Sequence, residues 1–286
     1  MTVERPALIG FGEAAQAFAA DWRIRAMAYD RKTDVVATRA QKTAEADALG
    51  VALAEANADA VRDATAILSL VTADQALLAA EETAPAISAG ALFLDMNSVA
   101  PETKQAAATI IEHRGGRYVD VAVMAPVEPK RRRVPLLVSG PHAEAGAAAP
   151  AALDFGAVRI VDGEIGGASA IKMIRSVMVK GIEALTAECL LAAEAAGVTD
   201  EVIASLDAGW PDADWARRGD YNLERMMVHG RRRAEEMAEV VKTLDALGTG
   251  AGMSRGTMER QRAIGSRALA PPNGLHAKLA ALLRSL

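Results

Sequence analysis

The chain has 286 residues, 51% of them hydrophobic, so it can bury a sizeable core as one large domain or two ordinary ones without disulfides or metals. Its one cysteine, Cys189, excludes an intramolecular disulfide and any Cys pair at metal-ligand spacing, and the net charge of −5 argues against attraction to a nucleic-acid backbone. Met1 to Pro6 holds no basic segment leading into an apolar stretch, and no uncharged apolar run reaches the length of a membrane span, so a cytoplasmic protein without metal, membrane or nucleic-acid partners is expected.

Up to about residue 163, short β-branched or aliphatic runs alternate with helical stretches, the pattern of a doubly wound α/β domain with a parallel sheet covered on both faces. The predicted strands are Ala7 to Ile9, Arg25 to Tyr29, Ala66 to Val71, Ala91 to Met96, Tyr118 to Val123, Leu136 to Ser139 and Val158 to Val161. The first runs into Gly10-Phe11-Gly12-Glu13-Ala14-Ala15, a Gly-x-Gly-x-x-Ala turn opening a helix. There Gly10 allows the tight turn, Gly12 lets the backbone approach a pyrophosphate, and small Ala15 lets helix and strand pack closely. The helix start then offers N–H groups to the anion.

The second strand ends at Asp30, twenty residues beyond Gly10, where a carboxylate can accept from both hydroxyls of an adenosine ribose. That favours NAD, although Arg31 and Lys32 follow at once and could pair with the 2′-phosphate of NADP. Val71 ends the third predicted strand with Thr72 and Ala73 just after it, and Asn97 follows the fourth, at the C-terminal ends where ligands of open α/β sheets collect. The basic runs Lys130 to Arg133 and Arg231 to Arg233 carry no interleaved aromatics; each is read as a solvated face, with a small anionic ligand as the alternative.

Glycines at 156, 163, 166 and 167 break the alternation, and no convincing strand follows, which divides the chain into 1–163 and an all-helical 164–286. Ala168 to Ala196 reads as one long helix ending at Gly197. Its apolar residues, Ile171, Ile174, Val177, Met178, Ile182, Leu185 and Leu190, cover too wide an arc for a surface helix and imply a core or a subunit interface. Cys189 is read as one of its core residues.

Four pieces in order, Gly10-Phe11-Gly12, Asp95-Met96-Asn97-Ser98-Val99-Ala100-Pro101, Tyr118-Val119-Asp120-Val121-Ala122-Val123 and Gly167-Ala168-Ser169-Ala170-Ile171-Lys172-Met173, resemble the β-hydroxyacid dehydrogenase family. That family includes 6-phosphogluconate and 3-hydroxyisobutyrate dehydrogenases. The resemblance covers nearly the whole chain. It implies an N-terminal Rossmann domain, a long connecting helix, an all-α domain and a homodimer. It places Lys172 at the catalytic lysine, Asn97 and Ser98 at the loop holding substrate beside the nicotinamide, and His229 and Arg231 to Arg233 where a basic group approaches an acidic substrate.

Two departures mark a less characterised branch. Ser176 stands where the family has Asn, one helical turn after the lysine, and Met124-Ala125-Pro126 stands where many members have Ser-Gly-Gly, costing that loop a hydroxyl and an N–H donor. Met124, Ala125 and Arg232 are nonetheless the expected substrate contacts beside Asn97 and Ser98.

A lysine can serve as general acid–base because burial disfavours its charged form. Ser169, Lys172, Ser176 and Glu183 fall on one stripe of the helix; such a stripe alone faces water, and the resemblance turns it into a site. The reading implied is hydride transfer between a nicotinamide and a hydroxy acid or related alcohol. An imine reductase and a dinucleotide-binding protein without turnover are the alternatives.

Overall fold

The computed structural model describes residues 5–22 and 24–285; residues 1–4, on which the reading of Met1 to Pro6 partly rests, lie outside them. The chain forms two compact units, Met1–Met173 and Ile174–Leu286. In the first, strands β1 (Pro6–Ile9), β2 (Met27–Tyr29), β3 (Ala52–Leu53), β4 (Ala66–Ser69), β5 (Leu92–Asp95), β6 (Arg117–Val123), β7 (Leu136–Ser139) and β8 (Val158–Ile160) make one sheet in the order β3-β2-β1-β4-β5-β6-β7-β8. Between them run α1 (Glu13–Ala19), α2 (Val36–Asp47), α3 (Asn57–Val61), α4 (Ala76–Thr83), α5 (Pro101–His113) and α6 (Ala143–Ala152). The strand order reverses between β1 and β4, and β1 pairs in parallel with both β2 and β4. Loops leaving the C-terminal ends of these strands therefore open a crevice at the switch point.

Side chains alternate along the central strands, and both faces of these strands are buried. Leu8, Leu68, Leu94, Val119 and Val121 pack under α1 and α6 residues, while Ala7, Ile9, Ile67, Phe93 and Tyr118 pack under α3, α4 and α5 residues. Continuous apolar strands follow from that double cover. The predicted strands are all present, with ends shifted by a residue or two. Two features differ from expectation. The edge strand β3 is additional, and β7 pairs antiparallel with β6, so the sheet is mixed rather than parallel throughout. Residues 124–135 hold no helix that could cross a sheet face, so the chain folds back and the Met124 N–H donates to the Pro135 carbonyl at 2.9 Å.

Helix α7 (Gly167–Ala196) contributes its first two turns to this unit. It ends at Gly197 in paired bonds from Gly197 N–H to the Glu194 carbonyl and from Val198 N–H to the Ala193 carbonyl, the Schellman pattern. The second unit contains the remainder of α7 with α8 (Thr199–Gly209), α9 (Trp215–Ala246), α10 (Gly252–Gly265) and α11 (Leu275–Leu283), around Leu190, Leu223, Met226 and Leu279. Among the described residues no strand follows β8, and no helix is long and apolar enough to cross a membrane.

The wide apolar arc of α7 is only partly covered within this chain. Leu190 is in the core, whereas Ile171, Ile174, Met178 and Leu185 are exposed. Cys189 is exposed as well, correcting its assignment to the core. Ala187, Leu190 and Leu191 turn inward and leave position 189 on the outer side of the helix.

Candidate functional site

The glycine turn is held from both sides. Gly10 has φ +87°, and a Cβ there would lie 2.8 Å from the Leu70 carbonyl oxygen, so only glycine fits. The Gly10 N–H donates to the Tyr29 carbonyl at 2.9 Å, tying the turn to the end of β2. Phe11 is fully buried. Its N–H donates to Asp30 Oδ2 at 2.8 Å, while its carbonyl accepts from Lys42 Nζ at 2.9 Å and Gln16 Nε2 at 3.1 Å. Lys42 also reaches Glu45 at 2.5 Å, and that hydrogen bond holds the Glu45 carboxyl below its usual pKa. Gly12 caps α1, and a Cβ on it would meet nothing within 4 Å. That open side is the space a pyrophosphate needs against the backbone. Glu13 is exposed, Ala14 is half-buried, and Ala15 is fully buried against the sheet.

Asp30 spends one hydrogen bond from each carboxylate oxygen on the backbone, Oδ1 accepting from Lys32 N–H at 2.9 Å. Each oxygen retains acceptor capacity for a hydroxyl. Arg31 and Lys32 are exposed beside it, with Arg31 Nη1 bonded to Gln75 Oε1 at 2.6 Å. Val71 is half-buried and Thr72 exposed just beyond β4.

At the end of β5, Asn97 is buried. Its N–H donates to Asp95 Oδ1 at 3.0 Å and its Nδ2 to Ser69 Oγ at 2.9 Å, but Asn97 Oδ1 has no hydrogen-bond partner. A buried amide oxygen left so is costly unless a ligand donor completes it. The open approach at Gly12 and this orphaned acceptor, both on the C-terminal edge of the sheet, fit a bound dinucleotide with a donor at its nicotinamide end. Ser98, Met124 and Ala125 are half-buried on the same edge.

Beneath that edge lies a cluster that sequence reasoning missed. Asp95 and Asp120 face each other across the β5–β6 register with Lys104 of α5 between them, its Nζ 2.9 Å from Asp95 Oδ1 and 3.5 Å from Asp120 Oδ1. All three side chains are completely buried. Tyr118 donates to Asp95 Oδ2 at 2.6 Å; burial, then the charge and hydrogen bond of Asp95, push its phenol well above the ordinary range, so it stays a donor. The signal lay in single charges inside otherwise apolar strands, which have to be paired where they are buried.

Lys172 is half-buried on α7, in the first unit. The polar stripe on which it lies does not face water: Ser169, Ser176 and Glu183 are all buried. Between the last two, Lys180, which sequence reasoning also passed over, is buried with its Nζ 2.8 Å from Glu236 Oε2 and 3.5 Å from Ser176 Oγ. Arg232 is half-buried in the same cluster, its Nε 3.9 Å from Glu236 Oε1. Ser176, Lys180 and Arg232 thus belong together in the second unit. The other arginines of that run do different work. Arg233 is buried in a two-pronged pair with Glu183, which also accepts from Gln261, and exposed Arg231 reaches the Ser266 carbonyl. His229 is half-buried. In the run 130–133, Arg132 Nη1 donates to the Phe18 and Ala20 carbonyls at 2.5 and 2.7 Å, closing the end of α1, and Arg131 pairs with Asp21. The run is therefore partly a structural clasp rather than a wholly solvated face.

The family model for the NAD binding domain of 6-phosphogluconate dehydrogenase matches residues 7–183, and a domain of unknown function, DUF1932, matches residues 193–264. The chain belongs to the β-hydroxyacid dehydrogenase family. A conserved hypothetical protein from Sinorhizobium meliloti, of known structure, is 38% identical over 100% of this chain and 97% of its own, with a TM-score of 0.73. The 3-hydroxyisobutyrate dehydrogenase of Mycobacterium tuberculosis, solved with L-serine, shares the fold at 15% identity, covering 99% of this chain and all of its own, TM-score 0.73. So does an imine reductase from Myxococcus stipitatus bound to NADP+, at 18% identity over 98% and 99% of the two chains, TM-score 0.57.

Proposed function

We propose that the chain is an NAD-preferring dehydrogenase that interconverts a small acidic alcohol, of the hydroxy acid type, and its carbonyl counterpart. The observation that carries this reading is the family's glycine turn with an open side at Gly12, combined with the unpartnered buried Oδ1 of Asn97 on the same sheet edge. When bound, the nicotinamide supplies the hydride acceptor or donor. The chain supplies the rest. Backbone at Gly10, Phe11, Gly12, Glu13, Ala14 and Ala15 approaches the pyrophosphate; Asp30 accepts from the ribose hydroxyls and repels a 2′-phosphate, outweighing the exposed Arg31 and Lys32; Val71 and Thr72 border the crevice.

Lys172 is the general base for the alcohol and, in reverse, the general acid for the carbonyl. As the carbon gives up its hydride to the nicotinamide, the Lys172 amine takes the hydroxyl proton and later returns it to solvent. Asn97 and Ser98 hold the reacting end, and Met124 and Ala125 border it; Ser176 and Arg232, grouped with Lys180 in the second unit, are assigned to the same reaction by the family resemblance alone. The exposed Ile171, Ile174, Met178 and Leu185 support a homodimer closed over that face of α7.

The test is the purified chain with NAD and NADP against a panel of hydroxy acids and of cyclic imines, read as absorbance of the reduced cofactor. Turnover with a hydroxy acid, faster with NAD, is expected. Turnover only with imines would shift the reaction to carbon–nitrogen reduction. Tight cofactor binding with no turnover on either panel would contradict the enzyme reading.

A further inference from the structure

The first two turns of α7 carry Lys172, and their N-terminal end is capped by the buried cluster on the sheet. Asp120 Oδ2 accepts from Gly166 N–H at 3.2 Å, Ser169 N–H at 3.0 Å and Ser139 Oγ at 3.0 Å, and its Oδ1 accepts from Ser169 Oγ at 2.6 Å. Ser139 Oγ in turn accepts from Ala168 N–H at 2.9 Å. A helix start normally has its free N–H groups capped by a residue next to it in sequence. Here the cap is a carboxylate from β6, distant in the chain and wholly buried. Gly166, at φ +105°, leads into the helix so close to Pro101 that a Cβ would lie 2.8 Å from the proline ring, leaving this entry no slack.

The same cluster fixes the Asn97 loop. Asp95 accepts the Asn97 N–H, and Lys104 bonds the Asp95 carbonyl at 2.5 Å as well as both carboxylates. One lysine therefore ties the turn bearing Asn97 to the turn bearing Lys172. Lys104 lies between the two carboxylates, and Asp120 accepts four hydrogen bonds in addition to the lysine.

We infer that Asp120 and Lys104 are positioning residues that hold the Asn97 loop and the Lys172 turn in one fixed relation, acting on the reaction through those residues. This rests on the function proposed above. Asp120→Asn puts an amide where N–H groups need an acceptor, and Lys104→Met removes the bridge.

For Asp120→Asn, the amides of residues 168–172 should exchange with deuterium about 10- to 100-fold faster, while those of α9 and α10 stay as in wild type. The labelling rate of Lys172 by trinitrobenzenesulfonate, followed by mass spectrometry, should also change. NADH affinity, read by fluorescence titration, should stay within about threefold, whereas kcat on the substrate found in the panel should fall about 10- to 100-fold. Asp220→Asn, which alters one of the two carboxylate partners of buried Lys278 in the helical unit, is the control and should leave exchange at residues 168–172, labelling of Lys172, NADH affinity and kcat unchanged. Should Asp120→Asn fail to fold, Ser139→Ala removes only the Ala168 acceptor and one donor to Asp120, and should give the same pattern at smaller size.

Faster exchange spread evenly over both units would overturn the inference, as would a fall in kcat with no change at residues 168–172. If wild-type protein turns over nothing, the dehydrogenase reading fails on its own, and exchange and labelling still decide whether Asp120 holds the Lys172 turn.

Discussion

The glycine turn after β1 and the buried cluster around Asp120 lie on the same C-terminal edge of one sheet, yet they are built in opposite ways. The turn is made almost entirely from six consecutive residues, Gly10 to Ala15, held by Tyr29 and Asp30 at the end of β2 and by Lys42 of α2. The cluster draws Asp95 from β5, Lys104 from α5, Asp120 from β6, Ser139 from β7 and Ser169 from α7. A contiguous device can be read along the chain, because its chemistry depends on local backbone geometry. A dispersed one exists only once the strands are in register.

That difference gives graded ways to break the comparison. The largest effect is expected at Gly12→Val. Since nothing lies within 4 Å of a Cβ there, the fold should survive with an unchanged melting temperature while a side chain fills the pyrophosphate approach, and dinucleotide affinity should fall at least about 100-fold by calorimetry, which is about 2.7 kcal/mol. An unchanged dissociation constant in the folded variant would remove the turn from the site. Gly10→Ala tests the other half of the device. It forces a Cβ against the Leu70 backbone at positive φ, so it should cost stability itself, on the order of 1–3 kcal/mol in urea unfolding.

Asp30→Ala should lose about tenfold in NAD affinity and lose less for NADP, because the carboxylate accepts from the ribose hydroxyls and repels a phosphate. A larger loss for NADP would reverse the proposed preference. Ser176→Ala removes one hydroxyl near Lys180 and should slow turnover about fivefold, with cofactor affinity unchanged.

The smallest effect concerns the grip on Phe11. Glu45 has its pKa lowered by Lys42, so its contribution is present above the ordinary glutamate value of about 4.3 and is lost as pH falls through the lower folded-state value. The melting temperature of Glu45→Gln should therefore lie slightly below wild type near neutral pH, by an amount equivalent to about 0.5–1.5 kcal/mol, and the gap should close in acid.

The same contrast explains what was legible. The strands of the doubly wound sheet, the single helix 167–196 and its end at Gly197, and the helical second half follow from periodicity and glycine placement. The two-residue strand β3 carries no β-branched run and owes its existence to pairing with β2. The reversal at β7 depends on how residues 124–135 turn back, which apolar alternation does not encode. Among site residues, the Gly10 turn, Asp30 and Asn97 stand at strand ends where local rules apply. Lys104 and Lys180 do not: a lysine on a helix looks solvated until the acids that bury it, Asp95 and Asp120 for one and Glu236 for the other, are brought beside it. Cys189 failed for the converse reason, since an apolar helix with a wide face does not reveal which side its own chain covers.

The most direct test of the central claim, that Lys172 performs the proton transfer while the N-terminal turn holds the cofactor, is the turnover of Lys172→Met at saturating NAD. That substitution keeps length and packing and removes the titratable amine. Turnover should fall about 100- to 10,000-fold with NAD affinity near wild type. A folded, cofactor-loaded variant turning over within a few-fold of wild type would contradict the account.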